Sequence, residues 1–179
     1  MRGLTTAVAG ALLLGVLSTL YDFIWAMWIP RHRPLYGLVH GMTLLSAVGL
    51  VLGWPPRRPI AGLAGGALAG LLAAAGFYAL APAMGMRAMF PAWMLLWLLF
   101  AALAAWLEGR RMLSGAVAAR GVIAALLSGA AFWLISDIWL DHEPGGPNYL
   151  RNLLSWTFAY FPGFAALTIR TRPSPGAAS

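Results

Sequence analysis

The sequence predicts an all-α membrane protein: one polytopic transmembrane helical bundle of about six spans, N-in/C-in. Three observations carry that expectation. Only 9% of the 179 residues are charged and 61% are hydrophobic. Soluble domains carry about 25% charged residues, so this composition cannot cover the surface of a water-soluble domain of this size. Six apolar runs reach or approach the roughly 20 residues that cross a bilayer core. The breaks between them are built from proline, glycine and arginine, the residues of turns and of headgroup contacts.

The first run extends from about Leu4 to Ile29. Met1-Arg2 resembles the charged start of a signal peptide. The apolar run is longer than the roughly 7–15 residues of a cleaved leader, so it is expected to stay as an anchor. Pro30-Arg-His-Arg-Pro34 separates it from the second run, about Leu35 to Trp54, and Pro55 to Pro59 leads into the third, about Ile60 to Ala81. A break from Pro82 to Pro91 precedes the fourth, about Phe90 to Leu107, and Glu108-Gly-Arg-Arg111 closes it. The fifth runs from about Gly115 to Leu140 and the sixth from about Leu150 to Ile169, with Asp141-His-Glu-Pro-Gly-Gly-Pro147 between them. Residues 1–170 therefore form one bundle, and the Pro/Ser/Gly/Ala-rich tail 171–179 is expected to be disordered in the cytoplasm.

The net charge is +7, and all twelve basic residues are arginine. They fall in ones and twos between apolar runs, which points to membrane topology and lipid headgroups and away from nucleic acid. With alternating loops, Arg2, Arg57, Arg58, Arg110, Arg111, Arg120, Arg170 and Arg172 share one side, and Arg31, Arg33, Arg87 and Arg151 the other. The richer side is expected to be cytoplasmic, in the cell inner membrane. Cysteine is absent, which removes disulfides and thiolate chemistry.

Gly62, Gly66 and Gly70 line one face of the third helix, and Gly37, Gly41, Gly49 and Gly53 recur on the second. Small residues at this spacing let backbones approach closely in lipid. Packing within one chain is the favoured reading; a homo-oligomer interface is the other. Trp25, Trp28, Trp54, Trp93, Trp106 and Trp139 lie near span ends and read mostly as an interfacial belt.

Most of the rare polar residues gather toward the outer face. Asp22, His40 and Asp137 each lie one to two turns inside an apolar run. An ionisable group there costs several kcal/mol unless it is paired or reaches water, and so marks a functional candidate. A structural polar lock between helices is the bland alternative. Counting from the first turn, Asp22 and His40 sit at a similar depth, roughly 9–12 Å, on antiparallel neighbours. Asp137 falls level with Arg151 across the fifth-to-sixth hairpin and is expected to pair with it. The two outer hairpins also share an order: Asp22, Trp25, His32-Arg-Pro34, Tyr36 against Asp137, Trp139, His142-Glu-Pro144, Tyr149. Read as a weak repeat, this makes helices 1–2 and 5–6 bracket a site, with helices 3–4 as the remaining wall.

These residues lead to an expected outward-facing polar pocket. Asp22, His40, Asp137 and Arg151 line it, and Tyr36, His142 and Tyr149 stand near its mouth. The pocket binds or passes a small ligand, ion or proton, or the protein supports a membrane complex. A second reading is a small enzyme acting on a lipid or quinone headgroup. In it His40 is the general base, Asp22 orients its imidazole, and Arg31 or Arg151 holds an anionic headgroup. The sequence does not decide between binding protein and enzyme. A minor third reading is outer-face Cu(I) handling by Met84, Met86 and Met89, since thioethers suit that ion; methionine as an apolar filler is the ordinary explanation. The phosphate loop, the dinucleotide glycine fingerprint, His-Glu-x-x-His and Gly-x-Ser-x-Gly are all absent from the sequence.

Overall fold

The computed structural model describes residues 2–28, 34–135 and 149–169. Among these residues the chain is all-helical, with α1 (Arg2–Trp28), α2 (Pro34–Gly53), α3 (Pro59–Met84), α4 (Met89–Leu107), α5 (Gly115–Ile135) and α6 (Tyr149–Thr168). Arg31, His32, Arg33, Asp137, Asp141, His142 and Glu143, and the tail 171–179, lie outside the described residues.

Among the described residues, four helical stretches are long and apolar enough to cross a membrane: Gly3–Ile24, Pro34–Gly53, Pro59–Leu107 and Gly115–Leu134. The third is folded in two. A short 3-10 turn, Gly85–Ala88, separates α3 from α4. Gly85 has φ +58°, a conformation that costs glycine little. Gly65 faces Leu103 and Gly76 faces Leu95, so the two helices run antiparallel. The α3–α4 break is tighter than the sequence suggested. Pro82 sits inside α3, near its C-terminal end, and Pro91 lies in the first turn of α4, where a missing N–H breaks no helical bond. The sixth expected span, α6, is the least apolar, because Arg151, Asn152, Ser155 and Trp156 fill its first two turns.

Burial follows an inside-out pattern. On α1, Ala7, Ala11 and Ser18 are buried, while Leu4, Val8, Leu12, Val16, Leu20 and Ile24 are exposed. On α5, Gly121, Ala124, Ala125 and Ser128 are buried, while Val122, Ile123, Leu126 and Leu127 face outward. Mostly small residues face inward on these two helices, with Leu14, Val117 and Phe132 the larger exceptions. Branched apolar residues face outward, which suits a solvent of lipid tails, where packing between backbones drives association.

Each helix packs against its neighbours in sequence, and α1 closes the ring on α6. The α1–α6 contact is extensive, whereas α1 and α2 meet over a much smaller area. This departs from the expected first hairpin. The α2–α3 contact is the closest in the molecule: a Cβ at Gly49 would lie 2.7 Å from Gly66 Cα, and one at Gly70 would lie 2.8 Å from the Gly41 carbonyl carbon. The glycine faces therefore meet within one chain.

At one end of the bundle Gly109, φ +71°, closes α4, and Arg110 N–H reaches the Ala105 carbonyl at 2.8 Å. That Gly109 end also carries the Glu108–Arg110 ion pair, 2.8 Å, and the bond from Thr168 Oγ1 to the Gly3 carbonyl, 2.9 Å. The opposite end carries the Gly85 turn.

Candidate functional site

A cavity of about 710 Å³ opens inside the Gly85 half of the bundle. It reaches only to mid-helix, where Leu44, Leu45, Gly70 and Leu96 line it. Part of the α2–α3 side is built of small residues, Gly37, Gly41, Ala73 and Ala74. The facing side is aromatic, with Trp93 of α4, Phe132 of α5, and Trp156 and Tyr160 of α6. These rings hold one another: Trp93 stacks on Phe132 at 5.1 Å and 18°, and Trp156 on Tyr160 at 5.8 Å and 25°. Phe77 and Tyr78 of α3 complete the aromatic lining, and the Tyr78 ring rests on Gly37.

Polar atoms are few and concentrated. Asp22 of α1 accepts two hydrogen bonds from α6, both on Oδ2: Trp156 Nε1 at 2.6 Å and Asn152 Nδ2 at 3.0 Å. Among the described residues no donor reaches Asp22 Oδ1. His40 of α2 lines the same cavity, with its ring edge-on to Tyr21 at 5.1 Å. It lies near enough to Asp22 for the two to interact electrostatically. Deeper in, Ser18 Oγ donates to the Tyr160 hydroxyl at 3.1 Å, again tying α1 to α6. The buried Trp93 Nε1 has no hydrogen-bond partner among the described residues.

The structure thus brings Asp22 and His40 to one cavity. It does not bring the other candidates there. Tyr36 is half-buried and off the cavity. Tyr149 is exposed and packs on Phe23 at 4.8 Å. Arg151 is exposed and does not line the cavity; its neighbour Asn152 does. One residue turns the side chain about 100° around a helix, and that rotation separates the two. Asp137 and His142 lie outside the described residues, as does the proposed Asp137–Arg151 pair. Met86 and Met89 reach the cavity but Met84 is exposed away from it, so the three thioethers do not converge.

Two further corrections follow. The pocket is largely apolar and aromatic, with one polar corner, where a polar pocket was expected. Trp93, read as a belt residue, is 7% exposed and sits in the core, whereas Trp54 and Trp106 are exposed. Sequence reasoning also missed Asn152, Trp156 and Tyr160. A usable signal existed: Asn152 is an amide inside an apolar run, and pairing the terminal helices would have set it opposite Asp22.

Among the described residues no group of three His, Asp or Glu side chains could hold a metal ion. No protein-family model, curated protein or solved structure matches the chain.

Proposed function

We propose that the chain is a multi-pass protein of the cell inner membrane, crossing it six times with both termini inside, and that its cavity binds a small ligand from the outer side. The observation that carries this reading is the cavity itself. Its volume, about 710 Å³, falls in the range of about 300–1,000 Å³ typical of ligand sites, which are mostly apolar with a few convergent polar groups. The arginines support the orientation. Arg57, Arg58, Arg110, Arg111 and Arg120 lie toward the Gly109 end, against Arg87 and Arg151 toward the Gly85 end. The α6 residues that lower its apolar character, Asn152, Ser155 and Trp156, line the cavity, so their polarity is spent inside the bundle and α6 remains fit to span.

A cavity that stops at mid-helix favours binding over passage. The enzyme reading asks Asp22 to orient His40. Both hydrogen bonds to Asp22 come from α6 instead, which favours a binding site over a base–orienter pair.

Native mass spectrometry of gently extracted protein tests the site. A reproducible small-molecule adduct that is lost on filling the cavity with Ala74→Trp is the expected result; bare protein throughout would reject it. Reporter fusions after Ser179 and within the Asp141–Pro147 loop should report opposite sides of the membrane. Both on one side would reject the six-span topology.

A further inference from the structure

We infer that the ligand of this cavity presents an organic cation, a quaternary or tertiary ammonium group, to Asp22 Oδ1 and the surrounding aromatic faces. The inference rests on the cavity being a ligand site.

Four features point the same way. First, among the described residues Asp22 is the one acid lining the cavity, no arginine lines it, and the one basic side chain there, His40, is a titratable imidazole beside Asp22, so the lining offers a cation more than an anion. Second, both protein donors to Asp22 converge on Oδ2. The other oxygen accepts from no described residue and is not sealed from the cavity, so its lone pairs stay open to a ligand. Third, six aromatic rings line the space: Phe77, Tyr78, Trp93, Phe132, Trp156 and Tyr160. The negative faces of such rings attract cations, best when the cation is poorly hydrated. Fourth, a bare metal ion suits the site badly. The volume of about 710 Å³ far exceeds what an ion fills, and no three-ligand cluster is present among the described residues.

Carboxylate and ring faces together select a bulky alkylated ammonium over an inorganic cation, which would lose its water without equivalent replacement. The ammonium could belong to a free solute or to a lipid headgroup. An acyl chain would add apolar contact with the branched and aromatic lining.

The test is titration calorimetry on the full chain in lipid nanodiscs at pH 8, above the ordinary imidazole range of about 6.5, so that His40 carries no competing charge. The probes are choline, its uncharged carbon isostere 3,3-dimethylbutan-1-ol, and dodecyltrimethylammonium. Choline should bind saturably and about tenfold or more tightly than the isostere. Tighter binding of dodecyltrimethylammonium than of choline would support a lipid source; equal binding would support a free solute. Asp22→Asn keeps an acceptor for Trp156 and Asn152 while removing the charge. It should cut the affinity for both cations about tenfold and leave the isostere unchanged. If that variant does not fold, Tyr78→Leu, which removes one ring face outside the tightly packed core, should weaken the cations severalfold and spare the isostere. Equal binding of choline and isostere to the natural protein would overturn the cation inference and leave the ligand site standing. Absence of binding by any probe, together with a non-cationic adduct in the mass spectrum, would do the same. Absence of both probe binding and adduct would overturn inference and site together.

Discussion

Replacing Gly49 by alanine is the sharpest test of how the bundle is held. The added Cβ would stand 2.7 Å from Gly66 Cα and 2.8 Å from Gly66 N, with the Gly62 carbonyl oxygen closer still. All three obstacles are backbone atoms, so no side chain can swing aside. Carbon contacts settle at about 3.5–4.0 Å, so α2 and α3 must part by roughly 1 Å. Overpacking of this kind costs about 1–3 kcal/mol, partly offset by the ~0.5–1 kcal/mol that alanine gains over glycine inside a helix. The two ranges leave a net loss of up to about 2.5 kcal/mol, centred on ~1 kcal/mol. Gly76 is the internal control. A Cβ there meets only Leu95 Cδ2, at 3.5 Å, so Gly76→Ala should be neutral or stabilising by up to ~1 kcal/mol. Unfolding in mixed micelles, titrated with sodium dodecyl sulfate and followed by circular dichroism, compares the two variants directly. Equal stability of Gly49→Ala and the natural protein would refute the close-contact argument. So would an equal loss in Gly76→Ala.

Other substitutions probe the α1–α6 connection and the cavity wall. Trp156→Phe keeps an aromatic ring but trims the indole and removes the 2.6 Å donor to Asp22; it should cost at least about 1–3 kcal/mol in the same unfolding assay, the range for a buried acceptor losing a partner. Gly37→Ala would drive its Cβ into the Tyr78 hydroxyl and to 2.6 Å from Cε2, forcing that side chain to turn away, so choline affinity should fall severalfold while thermal stability changes less than in Gly49→Ala, where the obstacles are backbone. For the pair expected at the outer hairpin, Asp137→Ala alone should destabilise more than Asp137→Ala with Arg151→Ala; additive losses in that cycle would exclude coupling.

The helical class and most helix positions were legible because lipid imposes a simple rule: apolar runs of sufficient length, broken by turn residues. The α2–α3 contact was legible for the same reason, since Gly62, Gly66 and Gly70 repeat every four residues and place small surfaces in one row. Counting along the helices pointed to Asp22 and His40, which line one cavity. The partner of Asp22 did not follow. Nearest-neighbour reasoning paired α1 with α2, whereas the ring closes through α1 and α6, joining residues at opposite ends of the chain. Nothing periodic marks that closure. Arg151 and Asn152 illustrate a second limit. Charge drew attention to the arginine, but helix rotation, which an apolar run with no clear polar face does not fix, turns the neutral amide inward. Trp93 shows a third: a tryptophan near a span end is equally a belt residue or a core residue until its helix is oriented.

The polar corner and the cavity are one feature. Asp22 enters an apolar region at a cost that its two α6 donors reduce, and those bonds draw α1 toward α6 at the Gly85 end. Thr168 to the Gly3 carbonyl does so at the other end, and Gly15 against Thr157 does so between. With α1 committed along its length to α6, only a narrow contact with α2 remains. Meanwhile the glycines of α2 are spent on α3, leaving a low wall of Gly37, Gly41, Ala73 and Ala74. Most of the bulk comes from the other side, from Trp93, Phe132, Trp156 and Tyr160, which brace one another and so do not collapse into the space. The void beside His40 therefore follows from where the backbone contacts are made. The carboxylate that ties α1 to α6 is also the acid that faces it.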